Sequence, residues 1–222
     1  MMGLPLLARR KARERMRARA PGGLTALVLL VAGLAVPAAQ APPFESAIGP
    51  AAIAEAVRLG LSRDAWALDR FHAPYRHLLG GPFLQSLELI SEFRRVVLSA
   101  ERATRAGETM DARSAERVLD PFRGLVTVVV GVRFNPQNTY RSMPRLEAVI
   151  YSPAGGTVTP VGQRARPSYL SGPAPPGTPI LEGTLEADFQ GSALDPPGQL
   201  LVGIFLEGKE IERIPVDLAG LR

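Results

Sequence analysis

The sequence predicts an α+β protein in which a helical N-terminal part packs on a C-terminal antiparallel β-sandwich, after an N-terminal signal or anchor segment. Three observations support this class: an apolar run behind a basic N-terminus, apolar residues at helical spacing in the first half, and alternating apolar residues in the second half. They divide the 222 residues into a leader, residues 1–41, a mainly helical region, residues 42–122, and a β-sandwich-like domain, residues 123–222. On folding, a chain of this length can bury roughly 70% of the surface that it exposes when unfolded, so it can form a stable core without disulfides or bound metal ions.

The positive charge of the chain, +5 overall, is concentrated in the leader. Residues 1–41 hold seven Arg or Lys and one Glu, a net +6, whereas the remaining residues hold 19 basic and 20 acidic side chains, a net −1. Because clustered cations bind phosphate backbones, the nearly neutral body predicts no nucleic-acid partner. The chain has no cysteine, which excludes disulfides, thiolate zinc sites and catalytic thiols.

The leader contains "LTALVLLVAGLAV", thirteen uncharged residues at positions 24–36. A bilayer-spanning helix needs about 20 apolar residues, whereas an export signal needs about 7–15, so this run predicts a signal peptide with cleavage after Ala38. The alternative is an uncleaved anchor in the inner membrane formed by residues 24–36, with the arginines on the cytoplasmic side. Both interpretations export the body to the periplasm or out of the cell. Translation from Met1, Met2 or Met16 is compatible with either.

The mainly helical region begins with "PAAIAEAVRLG", which predicts a short helix with Pro50 in its first turn and Gly60 as its C-terminal cap. A second helix is expected in "RDAWALDRF", capped by Ser62 and carrying Trp66, the only tryptophan, as a core anchor. The next segment, "PFLQSLELIS", fits a strand or a helix equally well.

The clearest helix is predicted between Ser91 and Gly107, because apolar residues recur there on one face. Its charged residues are expected on a solvated face, with ion pairs such as Glu92 with Arg95 worth about 0.2–0.5 kcal/mol each. That face comprises Arg94, Arg95, Glu101, Arg102 and Arg105. A last short helix is predicted at residues 112–119, capped by Asp111.

Alternation of apolar and polar residues predicts several strands after residue 123. They are "GLVTVVVGVRF", "RLEAVIYS" antiparallel to it, "ILEGTLEADF", the central "QLLVGIFL" and the edge strand "EIERIPVDL". Residues 153–179 hold seven prolines and five glycines, which predicts a loop with a short edge piece in "TVTPVGQ". Tyr169 in this loop is a candidate partner contact, although a plain connector is favoured. Strands at this spacing without crossover helices predict an immunoglobulin-like sandwich.

The best local candidate for chemistry is "DRFHAPYRHLLGG", which contains both histidines, His72 and His77. Acid–base catalysis would use Asp69 to orient His72, with Tyr75 or Ser62 supplying a hydroxyl. A metal shared by the two histidines is disfavoured, because five residues along a helix turn the side chains roughly 140° apart. The expected structural role is a helix junction in which Tyr75 and its apolar neighbours pack on the core, while the two histidines bond to backbone or face water.

The sequence predicts no cofactor and no metal, because phosphate loops, dinucleotide fingerprints, nucleophile elbows and metal motifs are all missing. We therefore expect a non-enzymatic binding or structural module of the periplasm or cell envelope, whose partner is an envelope protein or a glycan. Membrane contact is expected only through the N-terminal segment. The alternative is an exported hydrolase that uses His72 and His77. No feature of the sequence specifies the oligomeric state.

Overall fold

The computed structural model describes residues 44–45, 47–152, 155–168, 177–194 and 198–222, which all lie in one compact unit. The predicted leader, Tyr169 and much of the Pro- and Gly-rich loop lie outside the described residues. The helices are α1 (Pro50–Gly60), α2 (Ala65–His72), α3 (Glu92–Arg105) and α4 (Ala112–Leu119). The strands are β1 (Arg76–Leu78), β2 (Leu84–Ile90), β3 (Leu125–Arg133), β4 (Leu146–Tyr151), β5 (Thr157–Val158), β6 (Gly162–Ser168), β7 (Glu182–Gln190), β8 (Gln199–Leu206) and β9 (Lys209–Asp217).

The strands form two antiparallel sheets, so the α+β class is confirmed. The first sheet has the order β1-β2-β3-β7-β6 and the second has the order β5-β4-β8-β9. The ambiguous segment "PFLQSLELIS" forms β2, which pairs with β3, so strands from the mainly helical region extend the first sheet. Among the described residues, no helix is both long enough and apolar enough to span a bilayer.

The apolar faces of the two sheets share one hydrophobic core. In the first sheet, Val128 lies opposite Ala187 and Val130 lies opposite Leu185, and all four side chains are buried. Ile204 of the second sheet is buried in the same cluster. The alternation of β3 and β7 thus places one face in the core, as strand periodicity requires.

Two strands differ in position or extent from the sequence prediction. β4 is a strand as expected, but it pairs with β5 and β8 in the second sheet rather than with β3. β6 continues through Pro167, because as an edge strand it needs hydrogen bonds on one side only. β8 is central and β9 is an edge strand, as expected.

Helix α1 packs closely on α3 through a glycine. Pro50 occupies its first turn as predicted, but Gly60 is the last helical residue rather than the cap, which is Leu61. A Cβ atom at Gly60 would lie 2.4 Å from the Val97 carbonyl oxygen and 2.6 Å from the Ala100 Cβ. Gly60 is therefore required for the close approach of the two helices.

Helix α2 differs from its prediction in both its cap and its tryptophan. The carboxylate of Asp64, not the hydroxyl of Ser62, caps the helix by accepting a hydrogen bond from the Ala67 amide at 3.1 Å. Trp66 is not a core anchor, since 67% of its surface is exposed. The buried residue of α2 is His72 at its C-terminus.

Helix α3 has the predicted bounds but not the predicted solvated face. Ser91 caps it, and Gly107 follows it with a positive φ of 73°. Arg94 is fully buried and Glu101 is also buried, which contradicts the expectation that both face water. Arg95 donates to the Thr127 hydroxyl at 2.5 Å and does not pair with Glu92.

Glu92 has a different role from the predicted surface ion pair. Its buried carboxylate accepts hydrogen bonds from the amides of Ile48 at 2.9 Å and Gly124 at 2.6 Å. Arg123 contacts the same carboxylate at 3.3 Å. Glu92 thus ties the start of α3 to the segments that precede α1 and β3.

Candidate functional site

A cleft of about 250 Å³ lies where the C-terminal ends of α1 and α3 meet α2. Three of the predicted residues, Ser62, Asp69 and His72, line it, whereas His77 and Tyr75 do not. Its other lining residues are Gly60, Ala65, Leu68, Arg76, Glu101, Thr104 and Arg105. The cleft exists because Gly60 brings α1 close to α3 while α2 leaves the pair through the turn at Ser62.

His72 is buried at the base of this cleft, with 3% of its surface exposed, and both of its ring nitrogens are bonded. Nε2 bonds to the carboxylate of Glu101, and Nδ1 lies 3.4 Å from Nε of Arg94. An arginine Nε can only donate, so Nδ1 is the acceptor and the imidazole proton lies on Nε2. In this arrangement His72 donates to Glu101 and accepts from Arg94.

Arg94 connects this imidazole to the first sheet. Its guanidinium is fully buried and donates to the Leu89 carbonyl oxygen and, at 2.7 Å, to the Glu88 carboxylate. Burial lowers the pKa of Arg94, and the neighbouring Glu88 carboxylate opposes that effect. The guanidinium also lies 5.0 Å from the centre of the Tyr75 ring. Arg94 is thus a buried cation that depends on fixed acceptors.

These contacts form one chain of polar groups, which we call the His72 network. At one end Arg105 donates to the second Glu101 oxygen at 2.6 Å, and at the other end Arg76 lies 3.6 Å from Glu88. The members, in order, are Arg105, Glu101, His72, Arg94, Glu88 and Arg76. The network joins α2 and α3 to β1 and β2, so it holds the helices on the first sheet.

The bonding of His72 opposes a role in proton transfer. A histidine general base needs one nitrogen free to take a proton, and an orienting carboxylate on the other nitrogen. Here the carboxylate occupies Nε2, and a buried cation occupies Nδ1, where a proton would have to be added. The side chain therefore acts as a structural connector in this arrangement.

The other predicted site residues have separate surroundings. His77 lies in β1 opposite Leu87, and its buried Nε2 has no hydrogen-bond partner among the described residues. The Tyr75 hydroxyl donates to the Arg222 carbonyl oxygen at 3.1 Å and accepts from the Arg222 amide at 2.9 Å. Burial raises the pKa of Tyr75. Neither side chain bonds to His72.

Asp69 does not orient His72, because Glu101 occupies that position. Asp69 lines the cleft as an exposed carboxylate, and no described residue forms a hydrogen bond or ion pair with it. The Ser62 hydroxyl accepts a hydrogen bond from the Asp64 amide at 3.2 Å and keeps its own proton for donation. Within the described ranges, no group of three or more His, Asp or Glu side chains is placed to hold a metal ion.

Arg94 and Glu101 are the site residues that sequence reasoning missed. Their spacing carried a usable signal, because Arg94, Val97 and Glu101 follow an i, i+3, i+7 line along the edge of the apolar stripe. Opposite charges on the line that also carries a buried valine are compatible with burial of both charged side chains, and not only with their exposure to solvent.

Comparisons with protein-family models, with curated proteins and with solved structures find no match to this chain. The function proposed below therefore depends on the residues and contacts of this chain.

Proposed function

We propose that the chain is an exported, non-enzymatic binding or structural module of the periplasm or cell envelope. The observation that carries this proposal is the bonding of His72, the side chain best suited to catalysis at neutral pH. Both of its nitrogens serve the contact between helices and sheet. What remains in the cleft is a concave surface with polar groups such as Asp69 and Ser62, which suits binding of an envelope protein or a glycan.

Export is proposed from the leader alone. The basic run and the thirteen uncharged residues at 24–36 support a cleaved signal, with an inner-membrane anchor as the alternative. The near-neutral body supports the exclusion of nucleic acid as a partner.

We also propose that the two sheets form an immunoglobulin-like sandwich. In that topology strands A, B, E and D form one sheet, and strands C, F and G form the other, to which variable-type domains add C′. The order β2-β3-β7-β6 corresponds to A-B-E-D, and β5-β4-β8-β9 corresponds to C′-C-F-G. Sandwiches of this kind are common in cell-surface proteins, which agrees with a binding role but does not specify a partner.

The alternative function is an exported hydrolase using His72 and His77. It is favoured by one observation, the presence of Ser62, Asp69 and His72 in the same cleft. The test is a panel of ester, amide and glycoside substrates with the wild type and the His72→Ala/His77→Ala double variant. Turnover that disappears in a correctly folded double variant would establish the hydrolase, and unchanged turnover would remove both histidines from it.

Export is tested by fusing residues 1–41 to a reporter enzyme that is active only outside the cytoplasm. We expect an active fusion, and an inactive one when Leu29→Arg interrupts the apolar run. The mass of the mature full chain then distinguishes removal of residues 1–38 from a retained anchor. Cytoplasmic fractionation of the full chain would contradict the proposal.

Binding is tested by crosslinking the tagged full chain in envelope extract at native abundance. We expect a saturable complex that an excess of untagged chain displaces. Absence of any displaceable complex with envelope protein or glycan would contradict a binding role.

A further inference from the structure

Trp66 is an exposed aromatic platform on α2, next in sequence to Ala65, which lines the cleft. It exposes 67% of its surface, although burial of such a side chain is normally favourable. The guanidinium carbon of Arg70, one turn later in α2, lies 4.5 Å from the centre of the ring. This cation–π contact restricts the orientation of the ring while most of its surface remains available.

Asp69 connects the platform to the cleft. It follows Trp66 by three positions, so the two side chains are neighbours on the surface of α2. Asp69 lines the cleft, and no described residue bonds to its carboxylate. The Ser62 hydroxyl, also in the lining, has its proton free. The cleft therefore presents a strong acceptor and a donor next to an apolar ring.

The charges of the lining cancel. The carboxylates of Asp69 and Glu101 are opposed by the guanidinium groups of Arg76 and Arg105. A strongly anionic or cationic ligand gains little in such a cleft, because each attraction is offset by a repulsion nearby. A neutral ligand with several hydroxyl groups matches the mixture of donors and acceptors.

The size of the cleft limits what can enter it. Its volume of about 250 Å³ lies below the roughly 300–1,000 Å³ of pockets that enclose drug-sized ligands. A single small ring fits such a volume, and a longer ligand would extend outside the cleft.

We propose that this cleft and Trp66 together bind the end of a neutral oligosaccharide. One sugar ring lies in the cleft with its hydroxyls on Asp69 and Ser62, and the next ring stacks its C–H face on Trp66. This inference deepens the proposed binding function and rests on it. A sugar ring has an apolar face, which can stack on the indole of Trp66. It also has hydroxyl groups around its edge, which can form hydrogen bonds with the polar groups of the cleft.

The test uses the fluorescence of Trp66, which is unambiguous because the chain has one tryptophan. The full chain is titrated with maltotriose, cellotriose and chitotriose, and iodide quenching is measured with and without sugar. We expect at least one trisaccharide to shift the emission saturably and to protect Trp66 from quenching. Asp69→Ala should weaken that binding at least tenfold, since hydrogen bonds to a charged acceptor are the stronger kind.

The matched control is Asp120→Ala, an exposed carboxylate outside the lining of the cleft, which should bind like the wild type. Trp66→Ala, followed by calorimetry, should lose measurable binding while circular dichroism stays unchanged, because the side chain is exposed. The inference is overturned if none of the three sugars binds up to its solubility limit, or if Asp69→Ala and Asp120→Ala bind alike.

Two further outcomes separate this inference from the proposed function. If vesicles containing phosphatidylglycerol shift the Trp66 emission and no sugar does, the surface is a membrane contact and the glycan inference is wrong. If no sugar binds but the envelope crosslink persists in Trp66→Ala, the module binds through another surface and only the glycan inference is wrong. A chain that binds sugar but is not exported would instead contradict the proposed localisation.

Discussion

The core between the two sheets and the interface between the helices and the first sheet are built from different side chains. The sheet core is apolar, with residues such as Val130, Leu185 and Ile204 from both sheets. The helix interface places His72 and Arg94 beside apolar residues. Apolar contacts are non-directional and tolerate volume-conserving substitutions, whereas a buried charge is stable only with its partners in place. Replacing one buried polar side chain can therefore displace the helices from the first sheet.

The largest effect is expected from Arg94→Ala. It removes the donor to the Leu89 carbonyl oxygen and to His72, and it leaves Glu88 without its buried partner. We expect the free energy of unfolding to fall by about 3–5 kcal/mol, the usual cost of breaking a buried pair. Urea denaturation measures the change. Arg102→Ala, an exposed arginine of the same helix, should stay within about 0.5 kcal/mol.

A second effect, a decrease of about 2–5 kcal/mol in the free energy of unfolding, is expected from Leu185→Ala in the sheet core, because a cavity replaces a fully buried side chain.

Methionine substitutions at Leu185 and Arg94 compare the two regions directly. Leu185→Met conserves volume and should cost less than about 1.5 kcal/mol. Arg94→Met keeps the aliphatic part of the side chain but loses every hydrogen-bond donor. We therefore expect it to lower the free energy of unfolding almost as much as Arg94→Ala does. Equal tolerance of methionine at both positions would remove the distinction between the two regions.

Gly60→Ala should destabilise by about 1–3 kcal/mol, the cost of overpacking. Helix propensity alone predicts the opposite sign, since alanine is favoured over glycine by about 1 kcal/mol. The added Cβ would lie 2.4 Å from the Val97 carbonyl oxygen and would force α1 away from α3. Thermal unfolding of Gly60→Ala is compared with that of Gly80→Ala, where nothing lies within 4 Å of the new atom. A stabilised Gly60→Ala would show that the helices are not in close contact.

The smallest effect is expected from Tyr75→Phe, which loses the hydrogen bonds with the Arg222 backbone and costs about 1 kcal/mol near neutral pH. Burial raises the pKa of Tyr75 in the folded protein. The unfolded chain therefore loses this proton first, and the stability that Tyr75 contributes is complete below about pH 10 and is lost as pH rises through the folded pKa. The difference between wild type and Tyr75→Phe should shrink over that alkaline range in urea titrations. Tyr140→Phe serves as the control, and a difference independent of pH would contradict burial of the hydroxyl.

The sheets were more predictable from sequence than the helix interface for a physical reason. The alternating valines of β3 indicate which face of the strand is buried, and the structure confirms that face. The proline of β9 indicates an edge strand, which the structure also confirms. The sheet to which β4 belongs depends on long-range pairing, which local periodicity does not encode. Arg94 was placed in water because an arginine is rarely buried, and its partners Glu88 and His72 lie on other elements. The exposure of Trp66 was missed for the converse reason, since hydrophobicity alone favours burial.

The most direct measurement of the state of His72 is a nitrogen-15 NMR correlation spectrum of its imidazole, assigned with the His77→Gln variant. We predict a proton on Nε2 and an unprotonated Nδ1, because Arg94 donates to Nδ1 and Glu101 accepts from Nε2. The same spectrum of Arg94→Met should lose this single tautomer. A ring protonated on Nδ1, or one that exchanges between tautomers in the wild type, would contradict a structural His72 and return it to consideration as a reactive group.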